Sequence, residues 1–281
     1  MAGAFLAGLI VVGTALLWPA REDGSPAGPS SFPSALPARS VSAVDNAASG
    51  TPESRRVARL AIVVDDLGYN PVLDAEWLAF PEKITASVLP YGPSSKTFAA
   101  SARSRGFTVV LHVPMEPESP SADGTERFRL RRGMSGEEME EAFTRMAKDV
   151  PQATGASNHM GSAFTADPAA MDVFAGILKG KGFFFVDTVT AVGSVGVAAA
   201  RRAGVPALQR DVFLDVDPRP EEMRRQWERA IALAKERGDA VLICHSRRET
   251  LAALLEMLPA LRREGVRAVT VEELLAGTSR G

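Results

Sequence analysis

Cysteine is almost absent from this 281-residue chain: Cys244 stands alone, so no intramolecular disulfide can form and cysteine usage is silent about redox compartment. An excess of charge of either sign is also missing. Lys and Arg number 32 against 34 Asp and Glu, a formal charge of -2, which removes any whole-chain electrostatic reason to expect nucleic acid as a partner. Aromatic residues make up only 6% and histidine occurs three times. No internal repeat of solenoid or propeller period is present. What remains, 46% hydrophobic and 23% charged residues, is the composition of a globular protein long enough to bury one sizeable core.

Residues 2–18 (AGAFLAGLIVVGTALLW) are uncharged and almost wholly apolar, and Arg21, Glu22 and Asp23 follow them. This pattern predicts a signal peptide or membrane anchor over 1–19, and hence an exported protein, periplasmic or membrane-anchored with its domain outside the cytoplasm. No Lys or Arg precedes the run and Arg21 lies on its far side, against the positive-inside preference; a buried helix of the fold is the alternative. Residues 20–56 are rich in Pro, Ser, Ala and Gly without periodicity, the composition of a disordered tether. A single folded domain is expected over 57–277.

Within that domain short β-rich apolar runs alternate with longer amphipathic segments, the pattern of a parallel sheet or barrel covered by helices. Strands are expected at 60–64, 84–89, 108–113, 153–157, 183–186, 207–210, 240–244 and 268–271, about the number a barrel needs. Asp167 followed by Pro168 starts a helix to about 179, and Asp217 with Pro218 or Pro220 opens one over 221–237. Ser135 with Glu138 is a capping-box pattern ahead of 139–150, and Ser246 with Glu249 repeats it ahead of 251–263, where Leu251, Leu254, Leu255, Leu258 and Leu261 have helical spacing.

Polar groups gather at the carboxyl ends of these runs, where sites form in parallel α/β architectures. Asp65 and Asp66 follow 60–64; adjacent residues of an extended chain point to opposite sides, so one carboxylate can hold a metal while the other takes a proton. A helix cap is the plainer role for either. His112, His159 and His245 each lie in or just after a strand, which makes them, with Asp66, candidates to converge on a divalent cation. A satisfied structural histidine is the alternative for each one alone. Glu116, Asn158, Asp187, Arg210, Asp211 and Asp215 lie near the same rim, where they can orient imidazoles or bind sugar hydroxyls, or else serve as helix caps and a structural Arg–Asp pair.

Six motifs in order, IVVDDLGYN (62–70), LHVPMEP (111–117), GASNHMGS (155–162), FVDT (185–188), RDVFLD (210–215) and VLICHS (241–246), resemble the divergent polysaccharide deacetylases, relatives of metal-dependent carbohydrate esterases. The resemblance implies a distorted (β/α) barrel of seven or eight mostly parallel strands. It implies Asp65 as general base, Asp66 and His112 as ligands of a divalent metal, Zn2+ above others, and His245 as general acid. The family's second metal histidine, four positions after His112, is replaced by Glu116, so His159 is the substitute ligand and Glu116, Asn158, Asp187, Arg210, Asp211 and Asp215 are expected to hold the ligands in place or to touch the substrate. The implied function is removal of acyl, in particular acetyl, groups from an envelope polysaccharide or glycan. A catalytically inactive glycan-binding or scaffold protein of the envelope is the alternative that Glu116 favours, and a metal-free glycosidase using Asp65 and Asp211 is a third.

Overall fold

The computed structural model describes residues 57–121 and 123–278, so the targeting segment and tether expected at 1–19 and 20–56 lie outside the described residues. Among the described residues no helix is long and apolar enough to cross a membrane. The elements alternate along the chain: β1 (Ala58–Leu67), α1 (Pro71–Leu78), β2 (Thr85–Val88), α2 (Ser95–Ser104), β3 (Thr108–Met115), α3 (Gly136–Asp149), β4 (Gly155–Met160), α4 (Pro168–Lys181), β5 (Phe184–Asp187) and α5 (Gly196–Arg202). They continue with β6 (Ala207–Gln209), β7 (Val212–Phe213), α6 (Pro220–Arg237), β8 (Asp239–His245), α7 (Arg248–Met257), α8 (Pro259–Arg263), β9 (Val266–Val269) and α9 (Val271–Thr278).

Every strand pair is parallel, in the order β6-β5-β4-β3-β2-β1-β8-β7, with β9 against the first half of β1. The two ends of this sheet are consecutive in sequence, joined by Arg210 and Asp211 alone. Three Cα steps reach at most about 11 Å, so the sheet must curl until its edges meet. Backbone bonds confirm it: Arg210 N donates to Asp187 O on β5, and the next residue, Asp211, donates its N–H to Val241 O on β8. The result is a distorted (β/α) barrel whose seam is crossed by the chain itself.

Period-two alternation divides the strand residues between two apolar cores. Leu60, Ile62, Val64, Val109, Leu111, Val113, Leu242 and Cys244 pack outward against the helices, together with Trp77, Phe143, Phe174 and Trp227. Ala61, Val63, Val110, Val186, Leu208, Val241 and Ile243 fill the barrel interior, and Val271 and Leu274 of α9 close it at the amino ends of the strands. Continuing the inward set by two residues reaches Asp65 on β1, His112 on β3 and His245 on β8. The same parity explains why the carboxyl-end mouth is polar while the floor is apolar.

The capping box at Ser135 and Glu138 forms as expected, and Asp167 caps α4 with Pro168 in its first turn. Elsewhere the structure differs. The two-residue strand β7 was not expected, because a run that short carries no periodicity. α6 begins at Pro220 with Arg219 at its cap, and Asp217 binds the Arg219 side chain instead. Ser246 does not cap the helix after β8; its N–H donates to Asp65 O, which ties it to β1, and the expected helix over 251–263 breaks into α7 and α8 at Pro259. Leu255, on α7, is exposed, unlike Leu251, Leu254, Leu258 and Leu261.

Arg210, expected on substrate or in the shell around the metal, is instead the clamp of the seam. It is buried, its guanidinium donates to Thr188 O and Val189 O, and it lies 4.9 Å from the centre of the Phe213 ring. Removing it leaves two buried carbonyls without donors, at about 1–3 kcal/mol each. Arg210→Ala should therefore lower unfolding stability by roughly 2–4 kcal/mol in urea titrations; a loss within 0.5 kcal/mol of zero would contradict the clamp.

Candidate metal centre

Asp66 has a left-handed backbone (φ 65), and the β1–β2 register shifts between Val64 and Leu67. The expected alternation of the two aspartates is thereby broken, and both carboxylates turn toward His112: Asp66 Oδ1 lies 3.3 Å from Nε2 and Asp65 Oδ1 lies 3.7 Å from Nδ1. His159, two residues past the inward Ser157 on β4, brings its Nδ1 to 3.0 Å from the same Asp66 oxygen. Met160 (φ 52) and Gly161 (φ 85) then reverse the chain directly behind His159; an added Cβ at Gly161 would stand 2.7 Å from Met115 Cβ, so the close approach requires glycine.

Asp66, His112 and His159 thus offer three ligand atoms within 4.8 Å of one another. Tetrahedral zinc with bonds of 2.0–2.2 Å sets its ligand atoms about 3.4 Å apart, close to the two oxygen–nitrogen separations of 3.0 and 3.3 Å. Asp65 Oδ1 and Asp66 Oδ1 are buried and neither makes a hydrogen bond, although imidazole nitrogens lie beside both. An acceptor oxygen facing two ring nitrogens outside hydrogen-bonding geometry fits a shared cation. The remaining ring nitrogens are anchored. His112 Nδ1 is 2.9 Å from Ser157 Oγ, which is 2.7 Å from Ser87 Oγ, and His159 Nε2 is 3.0 Å from Asp123 Oδ2. Such outer partners fix ring orientation and leave the inner nitrogens for a metal.

Burial alone would raise the Asp66 carboxyl, but its short contacts with the two imidazoles hold it well below the usual carboxylate range. His159 behaves in the complementary way: burial opposes its charge, yet Asp123 and Asp66 raise its pKa to about 9. Asp65 is different. Burial dominates and pushes its carboxyl up, with His112 and His245 pulling it partly back.

His245 is the register partner of Asp65 on β8, which places the two side chains about 5 Å apart across neighbouring strands. Its Nδ1 and its backbone N–H both meet the carboxylate of Asp215, each at 3.0 Å, and Thr250 Oγ1 donates to the same group. Burial works against the His245 cation, but Asp215 outweighs it and raises the imidazole above its ordinary value.

Other expected site residues stand elsewhere. Glu116 does not reach the centre: its carboxylate accepts from the Arg132 side chain (3.1 Å) and backbone (2.8 Å). Asp187 is of outward parity, between inward Val186 and Thr188, and accepts from Val189 N and Ser194 Oγ, so it braces the loop after β5 and does not line the mouth. Asn158, also outward, ties β4 to that loop by accepting from Thr188 N, while its amide donates to Met160 O at the end of β4. Asp211 sits toward the amino end of β8, bound to Val241 N and Arg237; four residues of strand, about 13 Å, separate it from His245, which removes the two-carboxylate glycosidase geometry. Ser87, Ser157 and Asp123 were missed. The serines follow from the parity of inward positions, whereas Asp123 comes from an aperiodic loop with no signal.

The family model described as divergent polysaccharide deacetylase matches residues 62–275. Two curated relatives, both uncharacterized, are YibQ of Escherichia coli, 36% identical over 71% of this chain, and a protein of Haemophilus influenzae, 36% identical over 70%. The matched region spans 62% of the former and 70% of the latter. An uncharacterized protein of Agrobacterium tumefaciens C58 shares the fold at a TM-score of 0.74, with 22% identity over 79% of this chain and 91% of that one. A mutant of a CE4 family pseudoenzyme with restored enzymatic activity aligns at 0.50, with 14% identity over 79% and 68%.

In the metal-free protein the raised pKa of His159 has a direction that can be measured. Its charged pairing contributes stability fully below about pH 6.5, and that contribution fades as pH rises through about 9. NMR of the metal-free protein should show the His159 ring titrating near 9, and Asp123→Asn should lower that value; titration at or below 6.5 in the unsubstituted protein would contradict the pairing. Asp66→Ala and His112→Ala should each abolish stoichiometric zinc by elemental analysis while the protein stays folded, and zinc retained in both would exclude them as ligands.

Proposed function

Because the chain belongs to the divergent polysaccharide deacetylase family, we propose that it is a metal-dependent hydrolase that removes acetyl groups from an envelope glycan. The observation that carries this reading is the convergence of Asp66, His112 and His159 on one point, beside the buried carboxylate of Asp65, whose Oδ1 has no hydrogen-bond partner. The loss of the family's second histidine to Glu116, which favours an inactive binding protein, does not leave the centre short of a donor, since His159 supplies it. The envelope setting is inferred from the apolar segment 2–18 and the tether, which make an external glycan the reachable substrate.

Asp66, His112 and His159 would hold a divalent cation such as Zn2+, which would polarise the acyl carbonyl and make a bound water more acidic. Asp65 is placed to take the proton of the attacking water: it is buried, its pKa is raised and its Oδ1 has no hydrogen-bond partner. His245, held through Nδ1 by Asp215, keeps Nε2 for the substrate and is biased toward imidazolium, the form that protonates a leaving amine. The two groups stand side by side with environments that push each toward its task.

Zinc-loaded protein should release acetate from N-acetylated glucosamine oligomers. Asp65→Asn should lower kcat by roughly 10²–10⁴-fold with zinc stoichiometry unchanged. Undiminished turnover in that variant would remove Asp65 from the mechanism.

A further inference from the structure

A cavity of about 500 Å³ opens between the loop after β2, the loop leading into α3 and α3 itself. Its lining includes Arg127, Arg129, Arg131 and Arg145 and no carboxylate. Arg129 is ion-paired with Asp123 and Arg145 with Glu141, which leaves Arg127 and Arg131 as the guanidinium groups that an anionic ligand would neutralise. The neighbouring acids are engaged at its edge: Glu141 binds Arg145, and Asp149 binds Lys96 and the Tyr91 N–H.

Arg129 carries the argument further. It is 7% exposed, and its Nη2 donates to Asp123 Oδ1 and Thr125 Oγ1, yet its Nε is buried with no acceptor. A buried donor without a partner at a cavity wall calls for a ligand or an explanation. Arg127 has no ion pair among the contacts of the described residues, and the Arg131 guanidinium donates only to a backbone carbonyl, Glu126 O. Through Asp123 the cavity is two hydrogen bonds from the candidate metal ligand His159. The Tyr69 phenol donates to Pro90 O and is within electrostatic reach of both Arg127 and Asp66.

We propose that this cavity binds the carboxylate of an acidic sugar, so that the glycan entering the metal centre carries an anionic residue next to the acylated one. The proposal rests on the reading of the mouth as a glycan site. The cavity wall suits a sugar as well as an anion, since Tyr91 and Phe128 line it and pack edge to face at 4.9 Å, with Tyr91 exposed. A carboxylate and a phosphate share the chemistry that an arginine fork reads; the aromatic wall and the hydrogen-bonded link through Asp123 to His159 favour an anion attached to a saccharide.

Calorimetry on the full chain with two N-acetylated tetrasaccharides separates these cases: neutral chitotetraose, and a hyaluronan tetrasaccharide whose alternate sugars carry carboxylates. The acidic tetrasaccharide should bind at least tenfold more tightly. The double variant Arg127→Gln with Arg131→Gln, both on the exterior loop, should reduce that preference to within twofold without changing zinc content. Equal affinity for the two sugars, no binding of either, or a preference that survives in the double variant overturns the proposal. Displacement of the acidic sugar by an equal concentration of inorganic phosphate also overturns it, as the mark of a free-anion site. Failure of the deacylase reading would look different: no zinc uptake and no acetate release, with the charge preference intact.

Discussion

The left-handed turn at Asp66 is the constraint on which the arrangement depends. A strand that kept its alternation would send Asp66 outward beside Val64, into the helix layer, and leave Asp65 as the one carboxylate in the mouth. The φ of 65 at Asp66, with the register shift around it, breaks that alternation and points two successive carboxylates at one imidazole. Aspartate visits this region more readily than most side chains, though at some cost. The other non-glycine residues with positive φ, Tyr91, Met160 and Val189, also lie at or just beyond the carboxyl ends of strands. Val189 is β-branched, so its conformation must be imposed, and it is: its N–H is held by Asp187 and its carbonyl by Arg210. Residues expected to touch substrate therefore hold the strained loops that shape the mouth.

The electrostatics follow from that geometry. Asp66 lies between His112 and His159, His159 lies between Asp66 and Asp123, and Asp123 in turn meets Arg129, so charge alternates outward from the centre to the arginine-lined cavity. On the other side Asp65 and His245 are register partners, with Asp215 behind the imidazole. The mouth thus holds an oxygen and nitrogen donor set on one flank and the neighbouring carboxylate and imidazole of Asp65 and His245 on the other. Below them the interior is sealed by Val63, Val110, Val186 and Ile243, which keeps water to the open side and strengthens each polar interaction.

Most of the barrel was legible because buried parallel strands are short β-branched runs and the covering helices announce themselves by caps: Ser135, Asp167 and Pro168 do what their positions promise. β7 was not legible, since its strand character comes only from pairing with β8 after the seam. Of the site, Asp65, Asp66, His112, His159 and His245 were visible as strand-end polar residues. Asp187 and Asn158 looked the same in sequence, and parity alone separates them, because they face outward between inward neighbours. Asp211 was misplaced for another reason: a closed sheet staggers its strands, so a residue near one strand's carboxyl end stands at its neighbour's amino end. Asp123 reaches His159 from a loop, by a contact that no local pattern encodes.

Membership in the deacetylase family and the barrel fold leave one question at the centre, whether His159 replaces the histidine that Glu116 displaced. X-ray absorption at the zinc edge of the loaded protein addresses it directly. Two imidazoles in the first coordination sphere, falling to one in His159→Ala, is the predicted result. A spectrum with one imidazole in the unsubstituted protein, or one unchanged by that substitution, would contradict the account.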